Sequence, residues 1–541
     1  MQRFKEGPPP WMWTVILIAF CCIFYFPNLG RWDLWNPDEP RYAQVAREML
    51  NGGDWILMHF NGKIYEDKPP LFFWLIGLSS YLWRGLTSFA VRFPAALFGS
   101  FTVMATFLLG SCLYSRRTGF FSALVLATSF QFAYLSTRAN IDTTLAFFTT
   151  ASLLCFYRWY QRKREERRSW MIYGFYVGMA VATLAKGPVG LLLPLLVCLT
   201  YLVYLKDWVT LRAMRLPTGM VLFAGIVLSW YLPAVMRGGE DYLSATLLRQ
   251  TIDRYSQGWS HGQPIYYFLY NFPAQFLPWF LFFPAALVYG YSAEVLHKRR
   301  EFFFLLIWFI VIFIFFSLSK GKRGVYLLPL FPAAALVVGK LWNDFIDGSM
   351  GHFKPEWISL PLRVLTVSGL VAGAAIPVGV SLKFPSYVLY SIPFTVLLVG
   401  GSLAIFILDR WKRRGAILLL IVGLIAAEFF YTLRVVFPLV NPYKSARFLS
   451  QEVTSRIQPG EKVGVYGPTP GAYVFYTGIV PILELEKGEV VVRFLQSSER
   501  VYCFVDSEDL DVLRNKGEIP KFELIARRQV GGTNMMLISN R

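Results

Sequence analysis

Charged side chains are scarce in this sequence, at 16% of 541 residues, while 55% are hydrophobic and 17% aromatic. A soluble core needs no such excess of apolar residues, and here they fall in runs long enough to cross a bilayer. The chain therefore reads as a polytopic membrane protein. Cysteine is also sparse: Cys21, Cys22, Cys112, Cys155 and Cys198 lie in apolar runs and Cys503 stands alone, so no disulfide framework is written. No small-residue cleavage signature follows the first apolar run, residues 11–26, which reads as a retained helix. A glycine-rich phosphate loop is missing too, which argues against a nucleotide sugar as substrate. The formal charge of +19 does not point to nucleic acid, because the basic residues sit in short clusters between apolar runs, where they orient spans toward the cytoplasm.

What is present is a series of apolar segments, about thirteen, at 12–29, 92–114, 119–136, 143–160, 170–185, 188–205, 217–235, 276–296, 302–318, 325–342, 360–382, 388–408 and 415–436. With the N-terminus in the cytoplasm, the basic clusters near residues 116, 162–168, 206–215, 297–300 and 409–414 all fall inside. Residues 30–91, 236–275, the turn at 320–323 and everything after about 437 fall outside. From about residue 441 the character changes. An amphipathic stretch at 443–457 and β-like runs at 462–466, 501–505 and 535–538 predict an extracytoplasmic α/β domain over 441–541, with a transmembrane domain over 1–440.

The first outer loop holds Asp38-Glu39-Pro40-Arg41-Tyr42. Two readings of the acidic pair are open: a turn shaped by proline, or a catalytic carboxylate at the start of a short surface helix, since Tyr42, Val45, Ala46, Met49 and Leu50 recur at helical spacing. A carboxylate fixed at a membrane surface suits removal of a proton from a hydroxyl or amine. Lys68, before Pro69-Pro70, is either a snorkelling interfacial lysine or a cation presented at the lip of the next apolar stretch. The turn Ser319-Lys320-Gly321-Lys322-Arg323-Gly324-Val325-Tyr326 is more telling, for it puts three cations on the outside against the charge bias of the other loops. An anion such as a lipid-linked phosphate fits there; a miscounted span would instead make the turn cytoplasmic. Asp142, at the mouth of a span, and Lys186-Gly187-Pro188 lie on the same side. Of the residues in loop 236–275, Arg254 is a candidate ligand, and His261 pairs with Glu66 or Asp67 as a metal site or is a hydrogen-bonded loop histidine; one histidine with remote acids is weaker than the close spacing of zinc motifs. Glu428 and Arg434 fall inside the last span without an assignable role.

Taken in order, Asp38-Glu39-Pro40-Arg41-Tyr42-Ala43, Asp67-Lys68-Pro69-Pro70-Leu71, Ala185-Lys186-Gly187-Pro188, His261-Gly262-Gln263-Pro264, then Lys322-Arg323 and Tyr326-Leu327-Leu328-Pro329 resemble the lipid A aminoarabinose transferases and their protein mannosyltransferase relatives, in the GT-C glycosyltransferase superfamily. The motifs cover about residues 12–340. The resemblance implies transfer of a sugar from a polyprenyl phosphate carrier to an acceptor, lipid A or a protein, at the outer face of the bacterial inner membrane. By position it makes Asp38 the essential first-loop aspartate and Asp142 a second acidic position, and Glu39 or Asp142 is expected to position the acceptor that Asp38 deprotonates. It makes Lys68 and the turn Lys320, Lys322 and Arg323 carrier-phosphate ligands; Arg41, Tyr42, Lys186, Arg254 and Tyr326, on the same outer side, are candidate substrate contacts beside them. Asp67 and His261 fall where aminoarabinose transferases can hold zinc, although Asp stands for the more usual Glu, and Pro40 replaces a small residue after the acidic pair. No cofactor is otherwise required. A transporter or flippase is the rival of another class, but such proteins carry repeats and polar sites at the bilayer midplane, whereas the polar groups here gather at one surface.

Overall fold

The computed structural model describes residues 9–162, 170–246, 262–292, 299–354, 356–467, 470–515 and 519–541. Two compact units emerge, and neither is continuous in sequence. The first comprises Met1–Asn28, Glu66–Leu71 and Ala95–Thr432; the second comprises Leu29–Tyr65, Phe72–Pro94 and Leu433–Arg541.

Among the described residues, seven helices are long and apolar enough to cross a membrane, or nine if each of two bent pairs is one crossing. The helix Ser88–Leu113 and the helical stretch Gly324–Asp347 are mostly buried in the protein, whereas few residues of the best apolar window of Glu356–Lys383 are buried. That distribution belongs to a bundle solvated by lipid. Within the first unit, small residues bring backbones together: a Cβ on Gly119 would meet the Phe107 carbonyl oxygen at 2.4 Å, and one on Gly339 would meet Ser122 Oγ at 2.1 Å. Such close approach is how helices associate when lipid removes the hydrophobic drive between them.

The expected span 119–136 is broken, and a second bend falls where the expected outer loop 236–275 meets the expected span 276–296. Arg116–Ala127 bends 72° into Phe130–Ser136, and Tyr267–Gln275 bends 109° into the stretch Trp279–Gly290. At the first break, Thr128 and Ser129 turn their hydroxyls onto the carbonyls of Leu124 and Leu126, competing with the helix ladder. At the second, Pro278 has no N–H to continue it. The region 30–91, expected as an outer loop, holds the helix Asp38–Gly52 and an apolar helix Leu71–Leu82 that its composition did not separate from a loop.

In the second unit the helix Asp38–Gly52 begins on two acidic residues, which favours its N-terminus, and stops where Gly53 turns left-handed at φ 71° and donates its N–H to Met49 O. A small hairpin follows, β1 (His59–Phe60) and β2 (Lys63–Ile64). The C-terminal residues form a mixed sheet of β3 (Lys462–Tyr466), β4 (Leu483–Leu485), β5 (Val501–Asp506), β6 (Glu523–Val530) and β7 (Thr533–Ser539), in the order β4-β3-β5-β7-β6. The three central contacts explain its burial: β3 runs parallel to β4 and β5, and β5 antiparallel to β7. Tyr502 and Phe504 of β5 point into one core with Leu449 and Tyr473, and Cys503 and Val505 into another with Val491 and Leu510. A strand covered on both faces must be apolar without alternation, which is the pattern Val501-Tyr502-Cys503-Phe504-Val505. The amphipathic stretch expected at 443–457 is divided between Phe437–Lys444 and Arg447–Thr454.

Candidate active site

Glu39 and Arg92 are the most deeply buried charges of the second unit. Arg92 Nε lies 2.7 Å from Glu39 Oε1 and Nη2 2.9 Å from Oε2, a bidentate pair. The remaining guanidinium hydrogens go to the main-chain oxygens of Leu29, Trp32 and Asp33 at 2.7–2.9 Å, and the ring of Trp32 lies 4.2 Å below the guanidinium carbon. Trp35 N donates to Glu39 Oε2 at 3.0 Å. A buried pair is favourable only when its other lone pairs and protons are also satisfied, and here they are. The consequence is mechanical. Glu39, expected beside Asp38 as a catalytic acid, is occupied in tying residues 29–35 to the start of the Asp38–Gly52 helix. Arg92 was not singled out by sequence; a lone arginine at the head of an apolar run was the available signal.

Asp38, one residue earlier, is different. Its Oδ1 accepts from Arg41 Nη2 at 2.7 Å, and both side chains keep access to solvent, at 16% and 24% exposure. Asp38 lies in the first turn of its helix, where a negative charge meets the positive end of the helix dipole. Arg41 is crowded on its other side, since a Cβ on Gly471 would lie 3.2 Å from Arg41 Cβ. The helix Gly471–Thr477 is thus seated directly on this stretch, where Arg47 also donates to Phe475 O at 2.7 Å and Tyr476 Oη to Leu34 O at 2.9 Å. Burial lowers the Arg47 pKa and raises that of Tyr476. Tyr42, expected as a substrate contact, is buried edge-on against Phe72 and Phe73 with ring centroids 5.7 and 5.9 Å away.

In the first unit, three residues far apart in sequence meet. Lys186 is ion-paired with Asp142, both largely buried, and its ammonium lies 4.3 Å from the centre of the Tyr326 ring. Asp142 heads its helix, its N–H capped by Asn140 Oδ1 at 2.7 Å. In the turn that precedes Tyr326, Lys320 is exposed, Arg323 half-buried and Lys322 buried. Gly324 has no room for a side chain: a Cβ there would meet Gln275 Nε2 at 2.3 Å. Asp67 and Lys68 are half-buried. Arg254 and His261 lie outside the described residues, and among the described residues no three His, Cys, Asp or Glu side chains group as a metal site.

Taken separately, the second unit carries a carboxylate at a helix start with a locked arginine behind it, equipment suited to moving a proton, and the first unit carries a cation-rich turn, equipment suited to an anion. Comparison with known proteins gives this equipment a context. The family model for dolichyl-phosphate-mannose-protein mannosyltransferases matches residues 11–248. The undecaprenyl phosphate-alpha-4-amino-4-deoxy-L-arabinose arabinosyl transferase 2 of Proteus mirabilis (strain HI4320) is 31% identical over 336 residues, covering 61% of this chain and 59% of the relative. The corresponding transferase of Pseudomonas aeruginosa (strain UCBPP-PA14) is 34% identical over 413 residues, covering 74% of this chain and 71% of the relative. The chain belongs to the aminoarabinose transferase family. That membership makes it a membrane glycosyltransferase of the GT-C type, as its motifs led one to expect. The fold agrees: the crystal structure of ArnT from Cupriavidus metallidurans bound to undecaprenyl phosphate superposes with a TM-score of 0.78 at 22% identity, over 98% of both chains.

Proposed function

We propose that this aminoarabinose transferase homologue moves a sugar from undecaprenyl phosphate to lipid A or a related glycolipid at the periplasmic face of the bacterial inner membrane. The observation that carries the reading is the 34% identity over 413 residues to an arabinosyl transferase whose name states the undecaprenyl phosphate donor. The reading takes the chain to cross the membrane thirteen times, with its C-terminal sheet outside.

The reaction is an inverting displacement. The acceptor's oxygen attacks the anomeric carbon, the bond from that carbon to the phosphate oxygen breaks, and its electron pair leaves with the phosphate. Asp38 takes the acceptor's proton, and Arg41, bonded to Asp38 Oδ1, sets the carboxylate's direction. Glu39 acts through Arg92 as a positioning residue. Lys320 and Arg323, with Lys68 and Arg254, neutralise the departing phosphate. Lys186, paired with Asp142 and lying over Tyr326, offers a cation whose charge is already half-answered, suited to a sugar substituent or phosphate oxygen. Asp67 and His261 are the pair that would hold a zinc ion, and no step above runs through it.

Mass spectrometry of lipid A and of polyprenyl phosphate sugars tests this in cells carrying the native chain or Asp38→Asn. The expected result is loss of a defined sugar mass from lipid A and accumulation of the loaded carrier. Unchanged pools at equal protein abundance would remove Asp38 and lipid A together. The match of residues 11–248 to the protein mannosyltransferase model favours a protein acceptor as the second reading, which the same cells test through sugar masses on membrane and periplasmic proteins.

A further inference from the structure

The turn at 320–323 holds three cations, but their surroundings divide them. Lys320 is exposed, whereas Lys322 is 4% exposed. Lys322 Nζ donates to the main-chain oxygen of Gln263 at 2.8 Å and to that of Ser319. Beside it, Gly262 and Gly321 form an antiparallel bridge, and Gln263 N donates to Lys320 O at 3.3 Å. An ammonium has three hydrogens to give, and two of these are committed to carbonyls on separate strands of chain. A buried cation is tolerated only where its hydrogens are taken up. Loss of water lowers this lysine's pKa, in keeping with a group chosen for its donors more than for its charge. The same neighbouring segment supports the turn again from its far end, through Gln275 against Gly324.

We propose that Lys322 is a latch: it fastens the 262–263 segment to the turn and thereby sets the positions of Lys320 and Arg323, which meet the anion. Lys322 is then a positioning residue, and the assignment of all three cations as equal phosphate ligands gives way to a division of labour. The inference rests on reading the turn as the carrier-phosphate site, and the test separates the two.

Hydrogen exchange is measured by mass spectrometry on the full-length protein in detergent, for the native chain, Lys320→Met, Lys322→Met and Lys322→Gln. Peptides covering 262–266 and 319–324 should both lose protection in Lys322→Met, keep it in Lys320→Met, and largely recover it in Lys322→Gln, whose amide still donates to carbonyls without a charge. Transfer should slow in Lys322→Met by up to about 100-fold, the cost of an ångström-scale misplacement, chiefly in kcat. Lys320→Met should instead raise KM for the donor. A disulfide between Gly262→Cys and Gly321→Cys in the Lys322→Met background should restore turnover, and dithiothreitol should abolish the rescue. Unchanged exchange at both segments in Lys322→Met overturns the latch, as does a KM effect equal to that of Lys320→Met or a formed cross-link that rescues nothing. If both segments open in Lys322→Met while undecaprenyl phosphate binds equally to the native chain and Lys320→Met, the latch stands and the phosphate reading of the turn falls.

Discussion

At the scale of single residues, the burial of Arg92 sets the strongest expectation. Its guanidinium satisfies both Glu39 oxygens and three carbonyls at once. Arg92→Met would leave a buried carboxylate unanswered, which costs roughly 3–5 kcal/mol. A thermal melt in detergent should show the loss, and Arg92→Lys should recover little of it, because an ammonium cannot reproduce the fork. A melt unchanged by either substitution would contradict the cage. Tyr326 gives a finer test. Tyr326→Phe keeps the ring face beneath Lys186 and should leave kcat/KM near native, whereas Tyr326→Leu removes an attraction worth up to about 2 kcal/mol and should lower it. Equal behaviour of the two variants would assign the hydroxyl or mere bulk the leading part. Asp142, Lys186 and Tyr326 could each be picked from sequence because charge or a ring beside a span end is conspicuous. That Glu39 is spoken for could not, since its partner lies 53 positions away and no local pattern records such a pairing.

At the scale of elements, the apolar helices were legible and their breaks were not, and where thirteen spans were expected the described residues hold seven helices long and apolar enough to cross a membrane, or nine with the bent pairs. An apolar run of twenty residues announces a helix by composition, but whether it bends is decided by a few hydrogen bonds. Here the two broken helices answer one another. Phe130 N, a donor the bend leaves over, reaches Leu277 O at 3.0 Å, and Trp279 Nε1 reaches Thr128 Oγ1 at 3.0 Å. Tyr25 Oη takes up Ala127 O at 2.9 Å. These groups at the breaks are thus satisfied within the first unit, the condition for irregular backbone inside a bilayer. A double-mutant cycle on Trp279→Phe and Thr128→Val should return a coupling of about 0.6 kcal/mol, the average for such bonds in membranes, from unfolding in mixed micelles. A coupling indistinguishable from zero would mean that the two breaks are shaped independently. The C-terminal strands were readable for the opposite reason: the run 501–505 is apolar at every position, and only a strand covered on both faces or a buried helix tolerates that.

At the scale of the whole molecule, the surprise is how the chain is partitioned. A boundary near residue 440 follows composition, yet the second unit draws residues 29–65 and 72–94 into the same body as 433–541. Asn61 and Ile482 exchange two hydrogen bonds of 2.8 Å, and Asn441 binds Asp33 and the indole of Trp35. Composition could not show this, because the seam joins scattered polar groups and single rings, such as Trp32 and Trp35 against Phe437, that lie some four hundred positions apart. A chain ending at residue 440 should therefore insert its helices but leave the Asp38–Gly52 helix open to added protease, where the full chain resists; equal resistance would show that this helix is held by its own segment alone. Synthesis meets the same seam in time. Asp33 waits for a partner 408 residues downstream, so at about 5–20 residues per second it leaves the ribosome about 20–80 s before Asn441. For that interval the nascent chain has Arg92 to hold Glu39 but lacks the contacts of Asn441 and Tyr476 with residues 33–35, and any premature stop codon before the last fifth of the message makes that condition permanent.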